Sequence, residues 1–300
     1  MKKVICLLLV LLLVLGLAAC GEPTGKRLGR NKTVALVTCE NSACAICAGA
    51  EAGLKTAEAE FQMAVTLLRA GSAEDREAQL LAAAAEAPNL VLAGCPALAQ
   101  AAESVAKQNP NLSFAVLDAV TSGTDNLLGI TFAEYEGAYL AGILAGFSGQ
   151  TVVGFVGAEE DAAGKAQEAA FKAGLKAAGS AATVLVSYVG YPEDVALAAD
   201  LIKAQKSHGA AMFFVANPYA DSSLCDYGVK KCYDIATHLV IETALKGELA
   251  GGIFTTFGVK EDCVTYIDFA GQASAAALEL LNGSASQIKE GTLSVPKGVN

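Results

Sequence analysis

Residues 129–146 read Gly-Ile-Thr-Phe-Ala-Glu-Tyr-Glu-Gly-Ala-Tyr-Leu-Ala-Gly-Ile-Leu-Ala-Gly. The β-branched and aromatic start, residues 128–132, has the pattern of a short strand, and the pattern turns helical at Ala133. Small residues at Gly137, Ala138, Ala141, Gly142, Ala145 and Gly146 let the backbone of that helix lie very close to a neighbour. Strand–helix alternations stand on both sides of this stretch. It is therefore either a tightly packed core helix of one α/β domain, or a hinge-side helix joining two lobes with a ligand cleft between them.

The alternation fixes the fold class. Short apolar runs at 33–38, 64–68, 89–94 and 113–118 predict buried strands, with helices expected over 48–61, over 73–87 and from Pro96. Ser72 opens the second helix, with Glu74 and Asp75 in its first turn, where carboxylates are favoured. Pro96 suits a first helical position, where a missing N–H costs nothing. Beyond residue 150, strands are expected at 151–157, 183–189, 209–215, 252–259 and 263–269. Helices are expected at 161–178, 193–206, 233–245 and 273–281, and residues 217–228 read as a polar loop. Strand, helix, strand, repeated, predicts mostly parallel sheets covered on both faces.

The first twenty residues read as a targeting segment. Lys2 and Lys3 precede an apolar run over 5–17, and Leu17-Ala-Ala-Cys20 closes it with small residues before a cysteine. That run is short for a span of about 20 residues. The pattern is a bacterial lipoprotein signal, with Cys20 lipidated after cleavage; the alternative is an uncleaved anchor. Acyl chains on Cys20 (palmitate among them) hold a domain at a membrane surface. Residues 21–32, with Pro, Gly and basic side chains, read as a tether.

The formal charge is −10, and losing Lys2 and Lys3 makes it −12. No stripe of Lys and Arg is present to neutralise phosphates, so nucleic acid is disfavoured as a partner. Enzyme signatures are thin. Six residues rather than four separate Gly157 from Gly164-Lys165, and Ala166 stands where a P-loop needs Ser or Thr. His208 suits a helix C-cap and His238 has no ligand spacing, so no catalytic residue, cofactor or enzyme activity is expected.

Phe132-Ala-Glu-Tyr-Glu-Gly-Ala-Tyr-Leu-Ala-Gly142 resembles the signature of the basic membrane protein family of lipid-anchored ABC-transporter substrate-binding proteins. Val153-Gly-Phe-Val-Gly157 through Phe171-Lys-Ala-Gly-Leu-Lys-Ala177 and Lys231-Cys-Tyr-Asp-Ile-Ala236 agree with it. The resemblance covers roughly residues 33 to 270. It implies a two-lobed, periplasmic-binding-protein-like fold of type I. Residues 33–149 would form lobe I with part of 231–262 returning to it, and 150–230 lobe II with part of 263–300. It also implies a small polar solute, a nucleoside first, delivered to an ABC permease from the extracytoplasmic face of the cell membrane. Between Gly209 and Lys231 relatives carry about one further helix and strand, on the order of 30 residues. The second lobe is therefore expected to be shortened. The alternative function is a lipid-anchored scaffold or sensor that has lost solute binding through that gap.

Ligands of parallel sheets sit beyond the carboxyl ends of the strands. The loops expected there are 39–47, 94–96, 118–121, 157–161, 190–194 and 217–226. The resemblance would place an Asp after Thr38 and a Phe-Asn pair before the first helix, but Cys39 and Ile46-Cys47 stand there. Glu40 and Asn41 are candidates to replace the polar function, and Tyr191 to stack on a base. Lys231 matches the family's lysine, and Asp118 and Asp221 are candidate ribose partners. Cys47, Cys95, Gly157 and Asn217 complete the expected ligand-binding set.

Besides Cys20, the mature chain keeps cysteines at 39, 44, 47, 95, 225, 232 and 263. Cys39, Cys44 and Cys47 have the spacing of a plant-type iron–sulfur loop, which needs a distant fourth cysteine. Strand-end loops would bring Cys95 near them. Three readings stay open: buried or cleft-lining thiols, one or more disulfides, and a soft-metal or cluster site.

Overall fold

The computed structural model describes residues 28–39, 44–216, 221–269, 271 and 273–298. The targeting segment with Cys20, residues 21–27 of the tether, and Glu40, Asn41 and Asn217 lie outside the described residues.

β1 (Thr33–Cys39) shows why the first sheet is covered on both faces. Val34 and Leu36 point into one apolar layer, and Ala35 and Val37 into another. The first layer lies under α1 (Ala45–Phe61) and α7 (Tyr233–Lys246). The second lies under α2 (Asp75–Ala85) and α3 (Ala99–Gln108). With both faces buried, the strand reads as a continuous hydrophobic run. Its sheet also contains β2 (Ala64–Ala70), β3 (Leu90–Ala93), β4 (Phe114–Leu117), β5 (Leu127–Phe132) and β10 (Phe254–Phe257). The order is β10-β5-β4-β3-β1-β2, and every pairing is parallel.

A second sheet is built from β6 (Val152–Gly157), β7 (Thr183–Tyr188), β8 (Phe213–Ala216), β9 (Tyr227–Lys231) and β11 (Val264–Asp268). Its order is β11-β9-β8-β6-β7, parallel except where β11 meets β9. Among the described residues the chain passes between the sheets after β5, after β9 and after β10. The architecture is a two-lobed α/β fold of the periplasmic-binding-protein kind, as the sequence predicts.

α4 (Glu134–Gly146) makes the first passage and packs with the second sheet. Every residue from Gly137 to Ala145 is buried. A Cβ at Gly142 would fall on the Phe171 carbonyl of α5 (Ala162–Ala177), and one at Gly174 on the Tyr139 carbonyl. The two helices therefore meet backbone to backbone, as the small residues require.

The second sheet has five strands against six in the first, with a short link between β8 and β9. Residues 217–226 join the parallel neighbours β8 and β9, where such a crossover ordinarily takes a dozen or more residues and a helix. Among the described residues this connection holds a single 3-10 turn, Ser222–Leu224. The ladder is correspondingly short, Phe214 opposite Tyr227. The Asp226 carboxylate extends it by accepting the Phe213 N–H at 2.8 Å.

β9 itself was not expected, since 217–228 read as a polar loop, and two boundaries also differ from expectation. The 39–47 loop ends early, because α1 begins at Ala45 and takes Cys47 into its first turn. The last helix, α8 (Ala275–Lys289), runs well past 281. Buried Ser284 and Ile288 carry it through Gly283, since packing outweighs the roughly 1 kcal/mol that glycine costs in a helix.

Glu136 ties α4 to the turn after β10. Its Oε2 accepts the Val259 N–H at 2.7 Å, and the Tyr135 hydroxyl donates to Oε1 at 3.4 Å. Burial raises its carboxyl above the ordinary range. The Val259 N–H and the Lys297 ammonium oppose that rise, and the Glu261 charge adds to it. A raised native value means that the folded state holds this proton more tightly than the unfolded chain. The stability is then full at low pH and is lost as pH rises through the raised value. Glu136→Gln keeps an acceptor for Val259 and cannot ionise. Its melting temperature is expected to gain on the parent's as pH rises from the ordinary carboxylate range toward neutrality. A gap that stays flat with pH contradicts this.

Candidate functional site

Three strand or helix ends meet where the chain passes between the sheets. Asp118 follows β4 with φ +58, a left-handed conformation uncommon for a side chain other than glycine. Glu134 opens α4 directly after β5. Lys231 is the last residue of β9, in the other sheet. Its Nζ lies 2.8 Å from Asp118 Oδ2 and 3.0 Å from Glu134 Oε1. The Tyr233 hydroxyl donates to the same Asp118 oxygen at 2.8 Å. The Phe132 and Tyr233 rings meet edge to face at 5.1 Å, each with its centre 5.8 Å from the ammonium. Burial works against the Lys231 charge, but the Glu134 and Asp118 carboxylates outweigh it and hold the ammonium above its usual range. Burial also pushes the Tyr233 phenol up.

Beside this junction is a pocket of about 280 Å³. It is roofed by Glu134 and Lys231 and floored by the carboxyl ends of the second sheet, at Ala158 after β6 and Ala216 in β8. Glu159, Asp161 and Glu193 add carboxylates, and the first turn of α5 forms one wall. Asp161 caps that helix, its Oδ1 accepting the Gly164 N–H at 2.8 Å. Gln167, one turn further, donates from Nε2 to Glu134 Oε2 at 3.3 Å. Its Oε1 is buried and has no hydrogen-bond partner among the described residues. The pocket thus sets four carboxylates against one ammonium.

The expected site residues fall into three groups. Lys231 and Asp118 come together, and Gly157 leads into the pocket lining; a Cβ there would strike the Tyr188 ring. Tyr191 is 70% exposed, next to lining residues Pro192 and Glu193. Asp221 is exposed and accepts the Ser223 N–H at 2.9 Å, capping its 3-10 turn. Cys47 and Cys95 do not line the pocket: they are 4% and 3% exposed, sunk in the apolar layer over α2 and α3. Helix α1 starts early enough to carry Cys47 inward.

Glu134, Gln167 and Glu193 were not among the expected site residues. Glu134 carried a usable signal, an acid at the end of a strand and the start of a helix where the chain changes lobe. Glu193 sits in a loop that was expected at the cleft. Gln167 carried none, since a polar residue mid-helix reads as surface. His208 does cap its helix, α6 (Val195–Ser207), through Nδ1 at 2.8 Å from the Ala204 carbonyl. His238 pairs with Glu60 Oε2 at 2.8 Å.

Among the described residues the cysteines, 39, 44, 47, 95, 225, 232 and 263, are free thiols. Cys39 and Cys95 have their sulfurs 3.0 Å apart, and both lie within 4.8 Å of the Cys47 sulfur. The Cys47 thiol is lowered to about 6, first by the hydrogen bond from Cys95 and against its own burial.

Comparison with known proteins gives the family and the fold. The family described as "ABC transporter substrate-binding protein PnrA-like" matches residues 47–220. A CD4+ T-cell-stimulating antigen of Listeria innocua is 40% identical over 92 residues, 30% of this chain and 26% of that protein. The ABC transporter nucleoside-binding protein BmpA of Lactococcus lactis is 34% identical over 100 residues, 33% of this chain and 28% of that protein. These matches thus span little more than a quarter of the curated relatives' length. Among solved structures, an ABC-transporter solute-binding protein of Conexibacter woesei superposes with a TM-score of 0.69 at 17% identity, over 89% of this chain and 99% of that one. A transcriptional activator of the comK gene from Bacillus halodurans gives 0.74 at 18%, over 87% and 99%. At such identities these two show the fold alone. The family match covers more than half of the sequence, and the chain belongs to the PnrA-like family of ABC-transporter substrate-binding proteins.

Proposed function

We propose that this chain binds a small, uncharged, hydroxyl-rich solute, a nucleoside first, and presents it to an ABC permease. The reading places it at the extracytoplasmic face of the cell membrane, lipid-anchored through Cys20, with no catalytic step. The pocket carries the proposal. Glu134, Glu159, Asp161 and Glu193 suit hydroxyl or amine hydrogens. The same four carboxylates repel a phosphate, which separates nucleosides from nucleotides. The pocket's volume of about 280 Å³ falls just below the usual range of ligand pockets, roughly 300–1,000 Å³. The name of the Lactococcus relative supports a nucleoside. Closure of the two lobes around the solute would be the signal to the permease.

The test is ligand-dependent melting with nucleosides, nucleobases, sugars and nucleotides. A nucleoside at 100 times its dissociation constant is expected to add about 2.7 kcal/mol, while its monophosphate adds nothing. Tyr191→Ala is expected to weaken that binding by about 1–3 kcal/mol, and Tyr191→Phe to leave it unchanged, if the ring stacks on a base. Equal losses in the two variants contradict stacking.

One observation favours a second reading, a lipid-anchored scaffold or sensor without a solute. Lys231 is already engaged by Asp118 and Glu134, and the β8–β9 connection is short. A panel in which no compound shifts the melting temperature decides for it.

A further inference from the structure

The cysteine corner lies on the first sheet, among none of the residues that line the solute pocket, and rests on a separate argument. β1 and β3 are parallel neighbours with Val37 opposite Ala93. Cys39 ends β1, and Cys95 stands two residues past the end of β3, where the chain still runs beside β1 and sets the two sulfurs 3.0 Å apart. Cys47 arrives from above, in the first turn of α1. The three sulfurs lie within 4.8 Å of one another. Four thiolates around a zinc ion, at about 2.3 Å each, stand about 3.8 Å apart, so small side-chain rotations bring these three to one centre. Cys44 is the N-cap of α1, three residues before Cys47, and its side chain makes no capping hydrogen bond. It is the remaining sulfur within one turn of the cluster.

The surroundings select the ion. The donor set is sulfur alone, with no carboxylate or imidazole in the group. The neighbouring side chains are apolar, Val37, Ala93 and Leu98 among them. Soft thiolates in a dry pocket favour zinc or copper(I) over magnesium or calcium. The first turn of α1, which carries Cys47, has no acidic residue to oppose thiolate charge, and a helix N-terminus favours it.

We propose that Cys39, Cys47 and Cys95, with Cys44 as fourth ligand, form a structural site for a soft d10 cation. The ion replaces one proton on each thiol it binds, so no electron moves. It would fasten the ends of β1 and β3 to the start of α1.

The test uses the whole chain, purified under reductant and chelator and then freed of both without air. Zinc and, separately, cobalt(II) are added, and binding is followed with a chromophoric chelator as competitor. One ion per chain is expected, with a thiolate-to-cobalt charge-transfer band, proton release and a rise in melting temperature. Cys95→Ser and Cys47→Ser are expected to weaken binding by more than the roughly 10–100-fold that changes beyond the ligand shell cost. Cys263→Ser, buried elsewhere, is expected to bind as the parent does. If Cys95→Ser fails to fold, Cys39→Ser at the half-buried strand end reads the same loss. The proposal is overturned if the reduced chain takes up no ion in stoichiometric amount, or if the cobalt band survives these substitutions. It is overturned equally if unfolded, unreduced protein shows two thiols fewer than reduced protein and the reduced form binds nothing, which identifies a disulfide instead. None of these outcomes bears on nucleoside binding, so failure here and failure of the solute reading are told apart.

Discussion

Lys231→Ala is expected to lower the stability of the chain by about 3–5 kcal/mol, the range for removing one partner of a buried ion pair. The lysine and Asp118 side chains are only 19% and 18% exposed, and Glu134 is 32% exposed. Without the ammonium, two carboxylates are left close together with little water. Asp118 keeps the Tyr233 hydroxyl, and Glu134 keeps the Gln167 amide. Neither donor carries a charge. Because β4 and α4 lead from the first sheet and β9 belongs to the second, the loss acts on the seam between lobes. Urea unfolding reads both its size and its form. A lower midpoint at unchanged slope means that the whole chain is less stable, and a shallower or split transition means that the lobes part first. Adding Asp118→Asn to Lys231→Ala is expected to recover part of the loss, since one stranded charge is removed. A loss under about 1 kcal/mol would place the pair among exposed salt bridges, which contribute little.

What the sequence made legible follows from what each signal measures. Hydrophobic runs report burial on two faces, so Val34 to Val37 announced a central strand, and its neighbours followed from the same pattern. The short stretch between Gly209 and Lys231 was legible only beside the family it resembles, and that resemblance implied the shortened second sheet. Site geometry is another kind of fact. Lys231 and Asp118 were each expected at the cleft, but their pairing depends on how β9 leaves the second sheet. Gln167 was silent because its meaning depends on Glu134 across the passage. Cys47 was misplaced by a shift of three residues in a helix start, enough to turn a thiol from a loop into an apolar layer. Its meeting with Cys95 was legible in outline, since both stand at strand or loop ends of one sheet.

The helix pair α4–α5 gives the other large effect. Gly174→Val is expected to cost about 4 kcal/mol or more, above the usual 1–3 kcal/mol of an overpacked core. The reason is what the new atoms would meet. A Cβ at Gly174 falls on the Tyr139 carbonyl, with Ile143 N at 2.9 Å and the Gly142 carbonyl carbon at 3.0 Å. All are main-chain atoms of a helix buried from Gly137 to Ala145, so no side chain can swing aside. Relief requires the helices to move apart, which would open the contacts of Phe171, Tyr139 and Leu175 in the same layer. Domains of this kind are stable by only about 5–15 kcal/mol, so much of the margin is at stake. Gly283→Ala in α8 is the matched control. It too lies inside a helix, but a Cβ there meets nothing within 4 Å. That variant is expected to gain about 0.5–1 kcal/mol from helix propensity alone. Denaturant midpoints of the two variants should therefore move in opposite directions. A Gly174→Val chain within 1 kcal/mol of the parent would mean that α4 and α5 have room to separate, and the close approach of their backbones would not be what holds the second lobe to the passage between sheets.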